Sequence, residues 1–130
     1  MQKIIFKGAA LLCGVFLSLS LLAQPYPNKP ISLVVPQTAG GTNDIVARLI
    51  APAFGDAIGG SVVVENRPGA GGNIGTQSVA RSAKDGYTLL LTINSAQAIN
   101  PALYKNPGFD PISDFVPLYY IGATPYVLVS

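Results

Sequence analysis

Apolar and polar positions along the chain alternate between strand-like and helix-like patterns. Ile31-Ser-Leu-Val-Val35 is an almost unbroken apolar run, the pattern of a strand buried on both faces of a parallel sheet. After a glycine turn, Ile45, Val46, Leu49, Ile50, Ala53, Phe54, Ala57 and Ile58 recur at helical spacing. They predict an amphipathic helix with those residues facing inward. Thr42 or Asn43 is placed to cap it, Asp44 adds favourable charge to its first turn, and Gly59-Gly60 ends it. Pro52 removes a ladder bond and predicts a kink or an early stop. Arg48, one turn in, reads as a solvated charge.

A second strand is expected over residues 61–65, then a helix capped by Asn73 and running to about Ala83. Residues 84–87 turn the chain into a third strand over 88–92. The order β-α-β-α-β predicts an α/β fold with a parallel sheet and right-handed crossovers. Strand C-terminal ends and helix N-termini then share one sheet edge, where such folds bind ligands. Beyond it, Asp110-Pro-Ile-Ser-Asp-Phe115 offers caps for a short helical turn. Two more strands are expected over 116–123 and 126–130, either side of a break at Thr124-Pro125.

The ends of the chain carry their own signals. Lys3 and Lys7 precede an apolar run over residues 9–23, and polar, proline-rich sequence follows at once. The run is too short to span a bilayer and reads as a signal peptide, residues 1–23, cleaved near Ala23 for export to the periplasm. Cys13 lies inside it. Leu11 and Leu12 before that cysteine exclude a lipoprotein site, so the exported chain has no disulfide or thiol chemistry. The net charge of +2 also belongs to the signal. Without Lys3 and Lys7, Lys29, Arg48, Arg67, Arg81, Lys84 and Lys105 balance Asp44, Asp56, Glu65, Asp85, Asp110 and Asp114. A neutral chain with no basic block is a poor partner for nucleic acid or an anionic membrane. At the other end, Tyr126-Val-Leu-Val-Ser130 reads as a buried strand with no turn or polar tail after it. That pattern predicts the N-terminal portion of a longer protein.

Two glycine turns fall at matching positions, Pro36-Gln-Thr-Ala-Gly-Gly-Thr-Asn-Asp44 and Glu65-Asn-Arg-Pro-Gly-Ala-Gly-Gly-Asn-Ile-Gly75. Each lies between a strand and a helix, where backbone N–H groups and the helix dipole favour an anion. For Arg67-Pro-Gly-Ala70 the plain alternative is a type II turn, which accounts for Pro68 and Gly69. It leaves Gly71, Gly72 and Gly75 without a geometric need, and so points to a ligand. Gly69, Gly72 and Gly75 space as G-x-x-G-x-x-G, which misses the dinucleotide fingerprint, and no G-K-S/T follows. The chain has no histidine, so zinc sites built on it and Ser-His or Cys-His pairs are excluded. Its carboxylates are scattered. No metal and no cofactor are expected.

With these segments, Tyr26-Pro-Asn-Lys-Pro-Ile31, Asp85-Gly-Tyr-Thr-Leu89, Asn100-Pro-Ala-Leu-Tyr104 and Asp114-Phe115 occur in order. Together they resemble the tripartite tricarboxylate transporter receptors, the Bug-type periplasmic solute-binding proteins. The resemblance implies the parallel-sheet lobe of a two-lobed periplasmic binding protein, type II-like, with the second lobe largely missing. On it, residues 24–123 form the first lobe and 124–130 start the crossing into the second. It implies a monomer that captures a small organic carboxylate (a di- or tricarboxylate, an aromatic acid or an amino acid) and hands it to a membrane permease of large and small subunits. The ligand contacts it implies fall on Thr38, Gly40, Gly41 and Asp44, on Ala70, Gly71 and Gly72, and on Asn94 and Ser95. Many members have a proline-rich first loop with an aromatic residue, where this chain has Gln37-Thr38-Ala39. An exported enzyme acting on a carboxylated substrate, or a non-functional fragment, are the competing readings.

Overall fold

The structure, a computed structural model, describes residues 25–123. The signal peptide read at residues 1–23 lies outside them, as do the strand at 126–130 and the crossing at 124–130. Three strands form one parallel sheet in the order β2-β1-β3: β1 (Ile31–Val35), β2 (Val62–Asn66) and β3 (Thr88–Leu90). Ile31 to Val35 pair in register with Val62 to Asn66, and Ser32 to Val34 pair with Thr88 to Leu90. The central strand is the apolar run read from the sequence, and Ile31, Val34 and Val35 are fully buried. Its third-strand partner is shorter than expected, although Leu91 N still donates to Val34 O at 2.9 Å.

Helix α1 (Thr42–Ile58) joins β1 to β2, and α2 (Asn73–Ala80) joins β2 to β3. The chain steps outward from β1 to β2, then back across β1 to β3. Right-handed crossovers therefore put the two helices on opposite faces of the sheet. They also make the β1–β3 junction the point where the strand order reverses, and there the first loop and the segment after β3 diverge. Such a switch point leaves a crevice at the strands' C-terminal ends.

The face that α1 buries differs from the expected one. Its innermost stripe is Asp44, Ala47, Ala51 and Gly55. Val46 and Ile50 flank that stripe and pack on the core of Leu33, Val35, Ala47 and Leu91. Ile45 and Leu49, expected inside, are 61% and 76% exposed. Small residues win the inner position because the helix lies close to the chain beneath it. A methyl on Gly55 would stand 2.8 Å from Gly60 O. Pro52 does not end α1, which runs on to Gly59, the left-handed C-cap at φ 67. Pro52 lies on the exposed side, so the carbonyl that loses its partner opens to water.

Helix α2 ends at Ala80, short of the expected Ala83, and Gly72 rather than Asn73 is its N-cap. Asp110 and Asp114 close the expected turn: Asp110 Oδ1 accepts from Ile112 N and Ser113 N at 2.8 and 2.9 Å. The strand expected over 116–123 is not formed. Those residues have no regular structure, and Val116, Leu118 and Tyr119 are largely exposed. No other strand lies beside them among the described residues to complete a ladder. No helix among the described residues is long and apolar enough to cross a membrane.

Gly75 fixes how near α2 comes to the sheet. A methyl there would meet Arg67 O and would lie 2.8 Å from Pro36 Cβ and 2.9 Å from Pro36 Cα. Two of these three atoms are backbone, so no side-chain rotation relieves the clash. Gly75→Ala is expected to lower the unfolding free energy by about 1–3 kcal/mol, the usual cost of overpacking. Denaturant melts of the two forms check this, and an unchanged midpoint would refute the close approach.

Candidate functional site

The first loop leaves β1 at the fully buried Pro36. Gly40, at φ 81, donates its N–H to Asp44 Oδ2 at 2.8 Å. Gly41 is extended and serves as the N-cap of α1, so neither Thr42 nor Asn43 supplies a side-chain cap. The Gly41 N–H turns back to Thr38 O at 3.3 Å. Asn43 donates Nδ2 to Gln37 Oε1 at 2.8 Å, and Asn66, at the end of β2, donates to Gln37 O at 3.3 Å. The loop is thus tied both to α1 and to the neighbouring strand.

Asp44 is turned inward rather than into a cleft, and its side chain is only 5% exposed. Arg48 is not simply solvated. Its Nε stands 2.9 Å from Asp44 Oδ1, and it also donates to Asn66 Oδ1 at 3.0 Å. Hydrogen bonding from Arg48, then from the Gly40 N–H, outweighs burial and draws the Asp44 pKa down to about 2. This carboxylate therefore supports the loop, and Arg48 offsets its charge at the helix N-terminus.

The second loop is not a type II turn. Gly69 has φ 129 and ψ 147, and Ala70, Gly71 and Gly72 follow at φ 46, 66 and 99. Four successive positive φ values strain any residue with a Cβ, so the run of glycines has a geometric cause. Gly71 and Gly72 supply the φ, and Gly75 supplies the space. The expectation that these glycines lacked such a need is therefore corrected. Ala70–Gly72 forms one 3-10 turn, with Gly72 N donating to Gly69 O at 2.9 Å. Helix α2 starts at once, and its first turn holds no acidic residue. Its positive dipole end is left uncompensated, unlike that of α1.

After β3 the chain enters a π-helical turn (Ser95–Ile99) and a short helix α3 (Asn100–Leu103). A methyl on Gly72 would lie 3.4 Å from Ala96 Cβ, 3.4 Å from Pro36 O and 3.5 Å from Gln37 Nε2. All three loops therefore converge at Gly72. Asn100 fastens the second loop from the side, donating Nδ2 to Gly71 O at 3.0 Å and to the buried Asn73 Oδ1 at 2.8 Å. Asn73 is thus a buried acceptor and not a cap. Thr38 and Asn94 are exposed at the same edge and Ser95 is half-buried. None of these three side chains hydrogen-bonds to the second loop among the described residues.

Sequence reasoning missed Gln37, Asn66 and Asn100 as site builders. Each is polar and partly or wholly buried; the partners of Asn66 and Asn100 are distant in the chain, Gln37 is held by Asn43 only six residues on, and no local pattern marks any of them. A groove of about 460 Å³ between α1 and β2, lined by Arg48, Pro52, Gly55 and Val62 among others, lies away from Gly72 and the third loop. It belongs to the sheet's outer edge. Among the described residues, no group of His, Cys, Asp and Glu is placed to hold a metal ion.

The depressed Asp44 pKa gives a pH signature. Its stabilising contribution is complete above the ordinary carboxylate value and is lost as pH falls from about 4 through about 2. Asp44→Asn should lower the melting temperature at pH 7 and flatten its decline over that acid window. Melting curves at pH 7 and between pH 4 and 2 test this; parallel profiles for the two proteins would refute it.

Comparison with known proteins agrees with this geometry. Residues 46–130 match the tripartite tricarboxylate transporter family receptor. The chain is 42% identical over 123 residues to the protein BugT of Bordetella pertussis, covering 90% of this chain and 38% of BugT. It therefore spans little more than a third of that relative's length. Among solved structures it is similar to the periplasmic binding protein BugD, at 49% identity and a TM-score of 0.67, over 69% of this chain and 30% of BugD. It is also similar to MatC from Rhodopseudomonas palustris with bound malate, at 35% identity and a TM-score of 0.68, over 71% of this chain and 31% of MatC. A parallel α/β lobe, two glycine loops meeting at its switch point and these matches together lead to one conclusion: the chain belongs to the tripartite tricarboxylate transporter receptor family.

Proposed function

We propose that residues 24–123 form the first lobe of a periplasmic receptor for a small organic carboxylate, preceded by an export signal over 1–23. Residues 124–130 begin the crossing to a second lobe, and the captured acid passes to a membrane permease of large and small subunits. The observation that carries this reading is the convergence of three loops at Gly72, beside the uncompensated N-terminal end of α2. A carboxylate there faces a positive helix end rather than a fixed cation; the N–H groups of Gly72, Asn73 and Ile74 already donate to Gly69 O and Ala70 O, so the dipole rather than open donors supplies the attraction. The solved relative holding malate supports a carboxylate as the class of ligand.

In this reading the backbones of Thr38, Gly40, Gly41, Ala70, Gly71 and Gly72 line the anion site, with Asn94 and Ser95 at its rim. Asp44 acts through the loop by holding Gly40. The protein acts as a monomeric binder and not as an enzyme. The chain has no histidine, and its one cysteine, Cys13, lies in the signal segment, so the usual nucleophile pairs are not available.

Isothermal titration of the full-length protein against di- and tricarboxylates, aromatic acids and amino acids tests the proposal. Saturable binding of at least one acid is expected, with a rise in melting temperature that grows with ligand concentration. A folded protein that binds none of the panel would overturn it.

A further inference from the structure

The Asn100-Pro-Ala-Leu-Tyr104 segment has no part in the site described so far beyond the Asn100 tether. Asn100 pins α3 to the second loop through Gly71 O and Asn73 Oδ1. One turn on, Tyr104 N donates to Asn100 O at 2.8 Å, which brings Tyr104 back over the same loop. A methyl on Gly71 would stand 3.2 Å from Asn100 Nδ2 and 3.4 Å from the Tyr104 hydroxyl. Gly71 is exposed and Tyr104 is 43% exposed, so hydroxyl and loop open onto the same surface.

The tyrosine hydroxyls of the lobe are not used alike. Tyr26 donates to Gly86 O and Tyr87 to Asn28 Oδ1, each at 2.9 Å, and both fasten the opposite edge of the sheet. The Tyr104 hydroxyl, like those of the exposed Tyr119 and Tyr120, has no hydrogen-bond partner among the described residues, but it alone of the three stands against the second loop. It stands beside a helix N-terminus without an acidic residue in its first turn. A phenol there offers one directed O–H donor and a flat apolar ring.

We propose that Tyr104 is a ligand-contacting residue, its hydroxyl donating to an oxygen of the carboxylate held at Gly71–Gly72. The inference rests on the receptor reading above and adds a side-chain contact to a site otherwise built from backbone. Tyr104→Phe removes the donor and keeps the ring. In the full-length protein, malate and succinate are the probes, followed by titration calorimetry. The expected result is binding weakened about tenfold in Tyr104→Phe, the scale of one hydrogen bond to a charged group. The ligand-free melting temperature should stay unchanged.

Equal affinities in the two proteins would overturn the inference and leave the receptor reading standing. A weaker affinity matched by a lower ligand-free melting temperature would assign Tyr104 to folding, and would also overturn it. If the folded wild-type protein binds neither these acids nor any of the wider panel, the carboxylate reading falls and takes Tyr104 with it.

Discussion

At the entry to α2, the helix backbone lies against Pro36 at the end of β1, with only the hydrogen of Gly75 between them. The geometry of the candidate site follows from this contact. It brings the second loop close enough for Gly72 to reach Gln37 and Ala96, so loops from all three strands meet at one point. The preceding residues must then turn through four positive φ values to leave β2 and still arrive there. Glycine is the residue that permits both the approach and the turn. The same chemistry leaves the loop with little side-chain bulk, with Gly72 buried and Gly71 open to solvent.

Electrostatics divides the two helix ends. At α1 the dipole is already answered by Asp44, whose own charge Arg48 balances across 2.9 Å. At α2 nothing acidic sits in the first turn. The second helix end is thus the one left without a nearby carboxylate, and the proposed site is set there for that reason, while the first loop is firmly tied. The ties are short polar contacts, with Gly40 on Asp44, Asn43 on Gln37 and Asn66 on the Gln37 carbonyl. Asn100 does the same for the second loop from outside the β-α-β-α-β core.

Much of the fold was legible along the chain because it depends on local periodicity. The buried central strand, the two glycine turns, the Gly59 cap and the parallel sheet followed from patterns a few residues long. The inner face of α1 did not. Hydropathy favoured Ile45 and Leu49, but Ala47, Ala51 and Gly55 take the inner face, and at Gly55 even a methyl would crowd Gly60 O. Capping failed for a related reason. Thr42, Asn43 and Asn73 are all chemically able to cap, yet Gly41 and Gly72 hold the cap positions; Asn43 bonds back to Gln37 in its own loop, and Asn73 accepts from the distant Asn100.

By itself the sequence determined the class of fold, the family, and the sheet edge where the two glycine loops fall. Strand and turn propensities, a glycine-rich run and the absence of histidine act locally and need no partner. Only the tertiary structure decided that Asp44 turns inward, that the extra glycines answer a left-handed loop, and that Gln37, Asn100 and Tyr104 gather at Gly71 and Gly72. Those placements depend on contacts between residues up to several dozen positions apart. They are set by the strand order and by how closely backbones pack, neither of which leaves a periodic trace in the chain.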